Sequence, residues 1–254
     1  MSIKTATLNG VATIEIARPE KKNAITLDMY LAMAAALRDA NGDPSVRAVL
    51  ITGQPGIFTS GNDLEDFVQR PAQSTESPAF QFMKALIGCD KPVVAAVTGA
   101  AIGIGTTMLL HCDLIYLSDE ARLAMPFVSL GLVPEFASSL VFPRLVGNVR
   151  AAEKLLLGEP FGAAEAVELG IANAVLPANE LVNHARRMAE RFNALPPGAV
   201  RETKKLMRRA GAAQVLETIA AEGAVFAERL TSPEAKEAFS AFFQKRKPDF
   251  TQFS

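Results

Sequence analysis

Glu135 is an acidic side chain set where a solvated charge is out of place. It lies in the stretch 125–143, MPFVSLGLVPEFASSLVFP, among apolar and small residues, and charged groups rarely occupy such surroundings without a reason. A carboxyl kept dry holds its proton more tightly and can take up and return one near neutral pH. Two turn-like segments offer what such a base would need beside it: IFTSGNDL at 57–64 and TGAAIGIGTT at 98–107. Each follows an apolar run expected to be a buried strand, AVLIT at 48–52 and PVVAAV at 92–97, and each carries glycine where the chain turns before a helix. Such turns can aim backbone N–H groups into one space. Proton loss beside a carbonyl puts negative charge on oxygen, and fixed donors stabilise that charge more than the neutral ground state. Taken alone, however, the two glycine turns are read first as strand-to-helix geometry.

Other residues that could do chemistry are read more plainly. His111 ends an apolar helix and His184 lies in a polar one, so both are taken as structural. Ser138 and Ser139 have no His or Asp partner at interpretable spacing, and N-capping of the helix that follows explains them. Asp63 is read as a turn or cap residue. Cys89 and Cys112 lie in apolar segments, and the consecutive His111, Cys112 and Asp113 lack metal-ligand spacing, so neither a metal site nor a disulfide is expected.

The elements that must position these groups alternate. Strands are expected at 3–8 and 11–17, a helix at 27–40 capped by Thr26, a strand at 48–52, helical pieces at 64–69 and 78–87, and a strand at 92–97. A helix at 103–110, a strand at 114–117, helices at 138–145 and 150–157 and a strand at 174–176 follow. The pattern argues for an α/β fold. After the Leu195-Pro196-Pro197-Gly198 break the composition shifts to helix formers, at 199–209, 213–230 and 233–244. The expected division is therefore a core over 1–196 and a helical region over 197–254. That region carries Val215, Ile219, Val225, Phe226, Phe239, Phe242 and Phe243, apolar positions read as serving both intrachain packing and a subunit interface.

The 254 residues, 49% hydrophobic, suffice for one substantial core. With 26 basic against 27 acidic residues the chain carries no electrostatic footprint for nucleic acid or an anionic membrane. No long apolar run, signal-like amino terminus or Ser-Lys-Leu ending is present, so a cytoplasmic location is the expectation.

Five ordered motifs carry a resemblance: ARPEKKNAI at 17–25, FTSGNDL at 58–64, KPVVAAVTGAAIGIG at 91–105, CDLIY at 112–116 and AFFQKRKPDF at 241–250. Over nearly its whole length the chain resembles the crotonase, or enoyl-CoA hydratase/isomerase, superfamily. The segment PFVSLGLVPEFASS is similar to the Δ3-Δ2-enoyl-CoA isomerase branch, whose catalytic glutamate follows a proline where Glu135 stands. The resemblance implies a spiral of ββα units followed by helices that mediate trimer contacts, often as a dimer of trimers. It implies an acyl-coenzyme A thioester as ligand, with coenzyme A belonging to the substrate and no separate cofactor.

By position, the N–H groups of Asn62 and Ile104 match the family's oxyanion hole, where side-chain identity matters little. Ser60, Gly61, Asp63 and Leu64 match the stretch that runs beside the adenine and pantetheine, Gly103 the second turn, Lys21 or Lys22 the neighbourhood of the phosphates, and Phe243, Lys245 and Lys247 a carboxy-terminal reach toward the ligand. Hydratases of the family hold water with two glutamates, at positions matched here by Thr107 and Phe127. Neither is a carboxylate, and Phe127 with Phe136 and Leu140 would make the surroundings of Glu135 less polar. The expected activity is thus isomerisation of a 3-enoyl-CoA, against a hydratase or other lyase, or a non-catalytic acyl-CoA-binding homologue. Side chains across 67–86 and in the carboxy-terminal helices are expected to set pocket depth and with it acyl-chain length.

Overall fold

The computed structural model of the protein describes residues 2–69 and 77–253, without the side chains of 67–69; part of the stretch expected to set pocket depth thus lies outside the described residues. β1 (Ile3–Leu8) and β2 (Val11–Ile16) form an antiparallel hairpin. Its two-residue turn puts Asn9 and Gly10 at φ 49° and 72°, which these two residue types tolerate best. α1 (Leu27–Gly42) starts where the Thr26 side chain accepts from the N–H of Met29. Next come β3 (Ala48–Thr52), β4 (Ile57–Thr59), α2 (Leu64–Gln69), α3 (Pro78–Ile87), β5 (Val93–Val97), β6 (Ala100–Ile102), α4 (Ile104–Thr107), β7 (Leu114–Ser118) and β8 (Arg122–Ala124). The chain continues through α5 (Ser138–Val146), α6 (Asn148–Leu156), β9 (Phe161–Gly162), α7 (Ala163–Glu168), β10 (Ala174–Leu176) and α8 (Ala178–Glu190), and closes with α9 (Pro197–Arg209), α10 (Ala212–Leu230) and α11 (Pro233–Phe243).

The α/β reading holds, and its organisation is a repeat of paired strands. One sheet runs β1-β2-β3-β5-β7-β10 and the other β4-β6-β8-β9. Each pair β3/β4, β5/β6 and β7/β8 gives one strand to each sheet, so every turn of the chain steps both sheets sideways by one strand. β3 and β5 are buried along their whole length, as strands of a parallel sheet covered on both faces must be. Ala48 and Leu50 face Leu181, Ala185 and Ala189 of α8, whereas Val49 and Ile51 face the larger core that includes Met33 and Leu37 of α1.

Several elements differ from expectation. β4, β6, β8 and β9 are two or three residues long, too short to show a period of two. α8 is polar apart from its buried stripe. The helix expected at 103–110 is α-helical only to Thr107 and then tightens into a 3-10 turn ending at His111.

α9 is tied to the core by a partly buried ionic cluster. Lys204 and Arg208, one turn apart, reach the two oxygens of Asp113 at 2.6 and 2.8 Å. Lys204 also donates to the carbonyl of Lys91, and Arg208 to that of His111.

The ARPEKKNAI motif has a structural job. Asn23 is fully buried at φ 55°, and its amide donates to the carbonyls of Ile16, Phe58 and Ile57 at 2.9, 3.0 and 3.2 Å while its oxygen accepts from the N–H of Arg18 at 2.7 Å. It thereby ties β2 to β4. Arg18 in turn pairs with Asp63 at 2.5 Å. An Asn23→Ala variant strands these buried groups and should lose about 2–4 kcal/mol of unfolding free energy; urea titration showing a loss under about 1 kcal/mol would remove Asn23 from this role.

Candidate active site

Strand register brings the two glycine turns together. β4, β6 and β8 are parallel neighbours, with Thr59 opposite Ala101 and Ile102 opposite Ala124. Three residues past Thr59 is Asn62, three past Ala101 is Ile104, and three past Ala124 is Phe127. These three leave the carboxyl ends of adjacent parallel strands at one edge, where open α/β sheets bind ligands. Backbone pairing fixes the first turn: Ile25 donates to the carbonyl of Gly61 at 2.8 Å and Asp63 to that of Ile25 at 2.9 Å, which leaves the intervening N–H of Asn62 free. Ile104 opens α4, so its N–H belongs to the first turn and has no intrahelical acceptor. Neither N–H has an acceptor among the described residues. Gly61 at φ 94° and Gly103 at φ 56° make both turns possible. A Cβ on Gly61 would come within 3.0 Å of the Ile102 carbonyl oxygen, so the turns could not pack as they do with a side chain there.

A cleft of about 660 Å³ opens over this edge. Lys22, Ser60, Gly61, Asn62, Asp63, Leu64, Gly103, Ile104, Phe127 and Phe243 all line it. Lys21 also lines it and pairs with Glu65 at 3.6 Å. Three expected residues, Lys245, Lys247 and Glu135, do not. Lys245 lies exposed beyond α11, because the chain turns away through a left-handed residue at that position (φ 54°).

Glu135 is buried, with 8% of its surface exposed. Thr107, one turn past Ile104 on α4, donates its hydroxyl to Oε1 of Glu135 at 2.5 Å. Burial pushes this carboxyl from 4.5 to about 8; the Thr107 hydroxyl opposes the rise, and the charge of Glu222 adds to it. Tyr30 of α1 interacts with both the acid and Asn62. It is wholly buried and donates its phenol to Oδ1 of Asn62 at 2.5 Å, and its own pKa is raised by burial and then by the charge of Glu135. The Asn62 side chain therefore has a partner of its own, contrary to the expectation that its identity matters little.

The backbone beside the acid is strained. Phe136 and Ala137 are consecutive non-glycine residues at φ 60° and 56°, a conformation costing roughly 1–2 kcal/mol per residue. Three contacts hold it. Glu222, arriving from α10, accepts from the N–H of Ala137 at 2.6 Å and from the N–H of Ser139 at 2.9 Å. The Phe136 carbonyl meets Nε2 of His111 at 2.7 Å. Burial lowers the His111 pKa to about 4, so at neutral pH the ring is uncharged and Nε2 carries the hydrogen. His111 also stacks on the Phe136 ring at 4.1 Å.

The capping role expected of Ser138 and Ser139 is not what is found. Neither side chain caps α5: Ser138 donates to the Glu135 carbonyl and Ser139 to Glu222. Residues with no signal in the linear pattern are Tyr30 and Glu222, both embedded in helices; Phe226 and Phe242, expected to serve packing and a subunit interface, line the cleft. Cys89 and Cys112 are free thiols, and burial raises the pKa of both, Cys112 to about 12. Among the described residues no helix is long and apolar enough to cross a membrane, and no three metal-ligating side chains cluster.

Residues 6–253 match the family model described as "Enoyl-CoA hydratase/isomerase". The chain belongs to this family. It is 34% identical over 245 residues to human "Enoyl-CoA delta isomerase 2", a match covering 94% of this chain but only 62% of that protein. It is 29% identical over 242 residues to a "Probable enoyl-CoA hydratase" of Mycobacterium leprae, covering 95% of this chain and 94% of that one. Among solved structures, that of Pseudomonas aeruginosa OdaA is 49% identical with a TM-score of 0.93, covering 95% of this chain and 98% of that one. Membership supports crotonase-type chemistry on an enoyl-CoA, and the likeness to both isomerases and hydratases leaves the choice of reaction to the site.

The raised pKa of Glu135 makes stability depend on pH. Its folded value, about 8, lies above the ordinary 4.5. The neutral form thus suits the fold, its contribution is complete below pH 4.5, and it is lost as pH rises toward 8. A Glu135→Gln variant lacks this loss. Its stability advantage over the parent should grow between pH 5 and pH 8 to on the order of a few kcal/mol. Thermal unfolding curves that run parallel across that range would mean the acid is not held neutral.

Proposed function

We propose that the protein is an isomerase that moves the double bond of a 3-enoyl-CoA to the 2-position. The thioester carbonyl oxygen accepts from the N–H groups of Asn62 and Ile104. Ionised Glu135 removes a proton from C2, the C–H electron pair moves into the carbonyl, and the resulting dienolate is held by the two donors. Protonated Glu135 then delivers the proton to C4. One carboxyl suffices because base and acid act in turn, and a dry site keeps the shuttled proton from exchanging away.

The observation that carries this reading is the supply of carboxylates. Glu135 has one oxygen engaged by Thr107, and its second accepts no hydrogen bond among the described residues. Glu222 is the other buried glutamate near it, and both its oxygens are committed to the 137–139 backbone. Where hydratases of the family place two glutamates, this chain has Thr107, bound to Glu135, and Phe127, which lines the cleft. Among the described residues, neither hydratase position supplies a second carboxyl beside Glu135 to hold an attacking water. Lys21 and Lys22, which line the cleft beside Glu20 and Glu65, offer the cations for coenzyme A phosphates, and coenzyme A enters as part of the substrate.

We also infer a homotrimer or dimer of trimers. Its support is the apolar surface left at Val149, Leu157 and Met207, 84%, 69% and 80% exposed, which a monomer gains nothing by showing to water.

Turnover of a 3-enoyl-CoA and hydration of a 2-enoyl-CoA, measured side by side, test the assignment. Glu135→Gln should lower isomerisation kcat by roughly 10²–10⁴-fold with KM little changed. Hydration faster than isomerisation in the parent enzyme would overturn it. The acid limb of kcat/KM should fall near pH 8, where the free enzyme's acid titrates. Thr107→Val, which removes the hydroxyl that favours the ionised form, should move that limb to higher pH; an unmoved limb would contradict titration by Glu135.

A further inference from the structure

We propose that Glu222 is a positioning residue for Glu135: its carboxylate, reaching from α10, clamps the left-handed corner at Phe136 and Ala137 and so aims the acid at the thioester. The inference rests on Glu135 being the proton-shuttling group. Glu222 is 8% exposed and separated from the corner by 85 residues in sequence, so its place there is a product of the tertiary fold. One oxygen takes the N–H of Ala137 at 2.6 Å; the other takes both the N–H and the hydroxyl of Ser139, at 2.9 and 2.5 Å. These donors begin two residues after Glu135 and sit at the exposed-donor end of α5, where a carboxylate is electrostatically at home. A corner with φ positive at two successive residues that bear Cβ atoms relaxes unless something over-determines it. Here the over-determination comes from Glu222 on one side and from His111, bonded to the Phe136 carbonyl, on the other.

Glu222 also acts on Glu135 through space, since like charges disfavour joint ionisation. The other groups bearing on Glu135 are the Thr107 hydroxyl from α4 and the Tyr30 phenol from α1. His111 bears on it through Phe136, and its own charge state is held down by burial and by Arg208. A plain helix cap would contribute to stability and leave the chemistry alone. A positioning carboxylate must show in the chemistry.

The two roles separate in Glu222→Gln. One amide oxygen can replace one carboxylate oxygen, but the amide N–H₂ then faces a backbone N–H, so the corner loosens while the negative charge disappears. The plateau kcat for a 3-enoyl-CoA should fall roughly 10–100-fold, KM should stay within about threefold, and the acid limb of kcat/KM should move to lower pH. Glu222→Gln combined with Ala137→Gly keeps the test available if the single variant folds poorly, since glycine adopts the positive φ unaided; it should show the same kcat loss and limb shift. Folding of each is checked by circular dichroism. A folded variant whose plateau and acid limb both match the parent would overturn the proposal. Glu135→Gln measured alongside separates the two layers. If it is inactive while the Glu222 variants are unchanged, the positioning role alone fails; if it turns over normally, the base assignment fails and the role with it.

Discussion

Parallel pairing of β4 with β6 is the constraint on which the site depends. For the proposed oxyanion hole, two backbone N–H groups more than forty residues apart in sequence must point at one oxygen atom, and no side-chain contact could hold them as rigidly as a strand register does. With Thr59 set against Ala101, equal lengths of chain lead to Asn62 and Ile104. The sheet also supplies the reason for the two-strand repeat. A strand in the large sheet anchors each unit, and the short companions β4 and β6 in the small sheet lead to Asn62 and Ile104 at the edge. Loss of the register by one residue would leave one donor displaced by about 3.3 Å along its strand, more than a hydrogen bond tolerates.

Against this rigid hole the acid is held at an energetic disadvantage to the fold. Glu135 is desolvated, its proton affinity is raised, and the two residues after it adopt backbone angles that L-amino acids avoid. Such costs are borne where surrounding contacts over-determine the geometry. Thr107 meets the carboxyl from α4, the helix that also begins with a hole donor, so the distance between acid and hole is set within a single turn of helix. Tyr30 completes the frame from α1 by holding the Asn62 side chain. A neutral His111 adds a donor to the corner without adding a charge that would favour ionisation of the acid.

What could be seen in the linear chain follows from the range of each interaction. AVLIT and VVAAV announce buried parallel strands because all their residues but Thr52 are apolar, and glycines at the two turns announce tight geometry. The strands IFT, AAI and RLA carry no periodic signal in three residues, so the second sheet was hidden although both donors depend on it. α8 was legible only as the polar helix around His184, and its packing face was hidden for a different reason: its fully buried positions are Leu181, Ala185 and Ala189, and about one residue per turn reads as a solvated helix. Ser138 and Ser139 looked like local caps because capping is ordinarily local. A carboxylate from α10 does that work instead, and Glu222 within AAEGAVF carries no mark that distinguishes it from a surface glutamate.

That last case bears on how the carboxy-terminal helices relate to the core. Glu222 and Phe226 are one turn apart on α10 and share a face. The first clamps the backbone that bears the acid, and the second lines the cleft. α11 carries Phe242 and Phe243 to the same cleft, and its start packs so closely on the 128–131 turn that a Cβ on Gly131 would lie 2.7 Å from the N of Ala235. α9 is fixed to Asp113, beside the His111 that holds the Phe136 carbonyl. Each of the three helices thus touches a different support of the same acid or its cleft. An appendage that served only to join subunits would have no need to send a buried carboxylate into the site, so assembly of these helices on the core and formation of the site are one event.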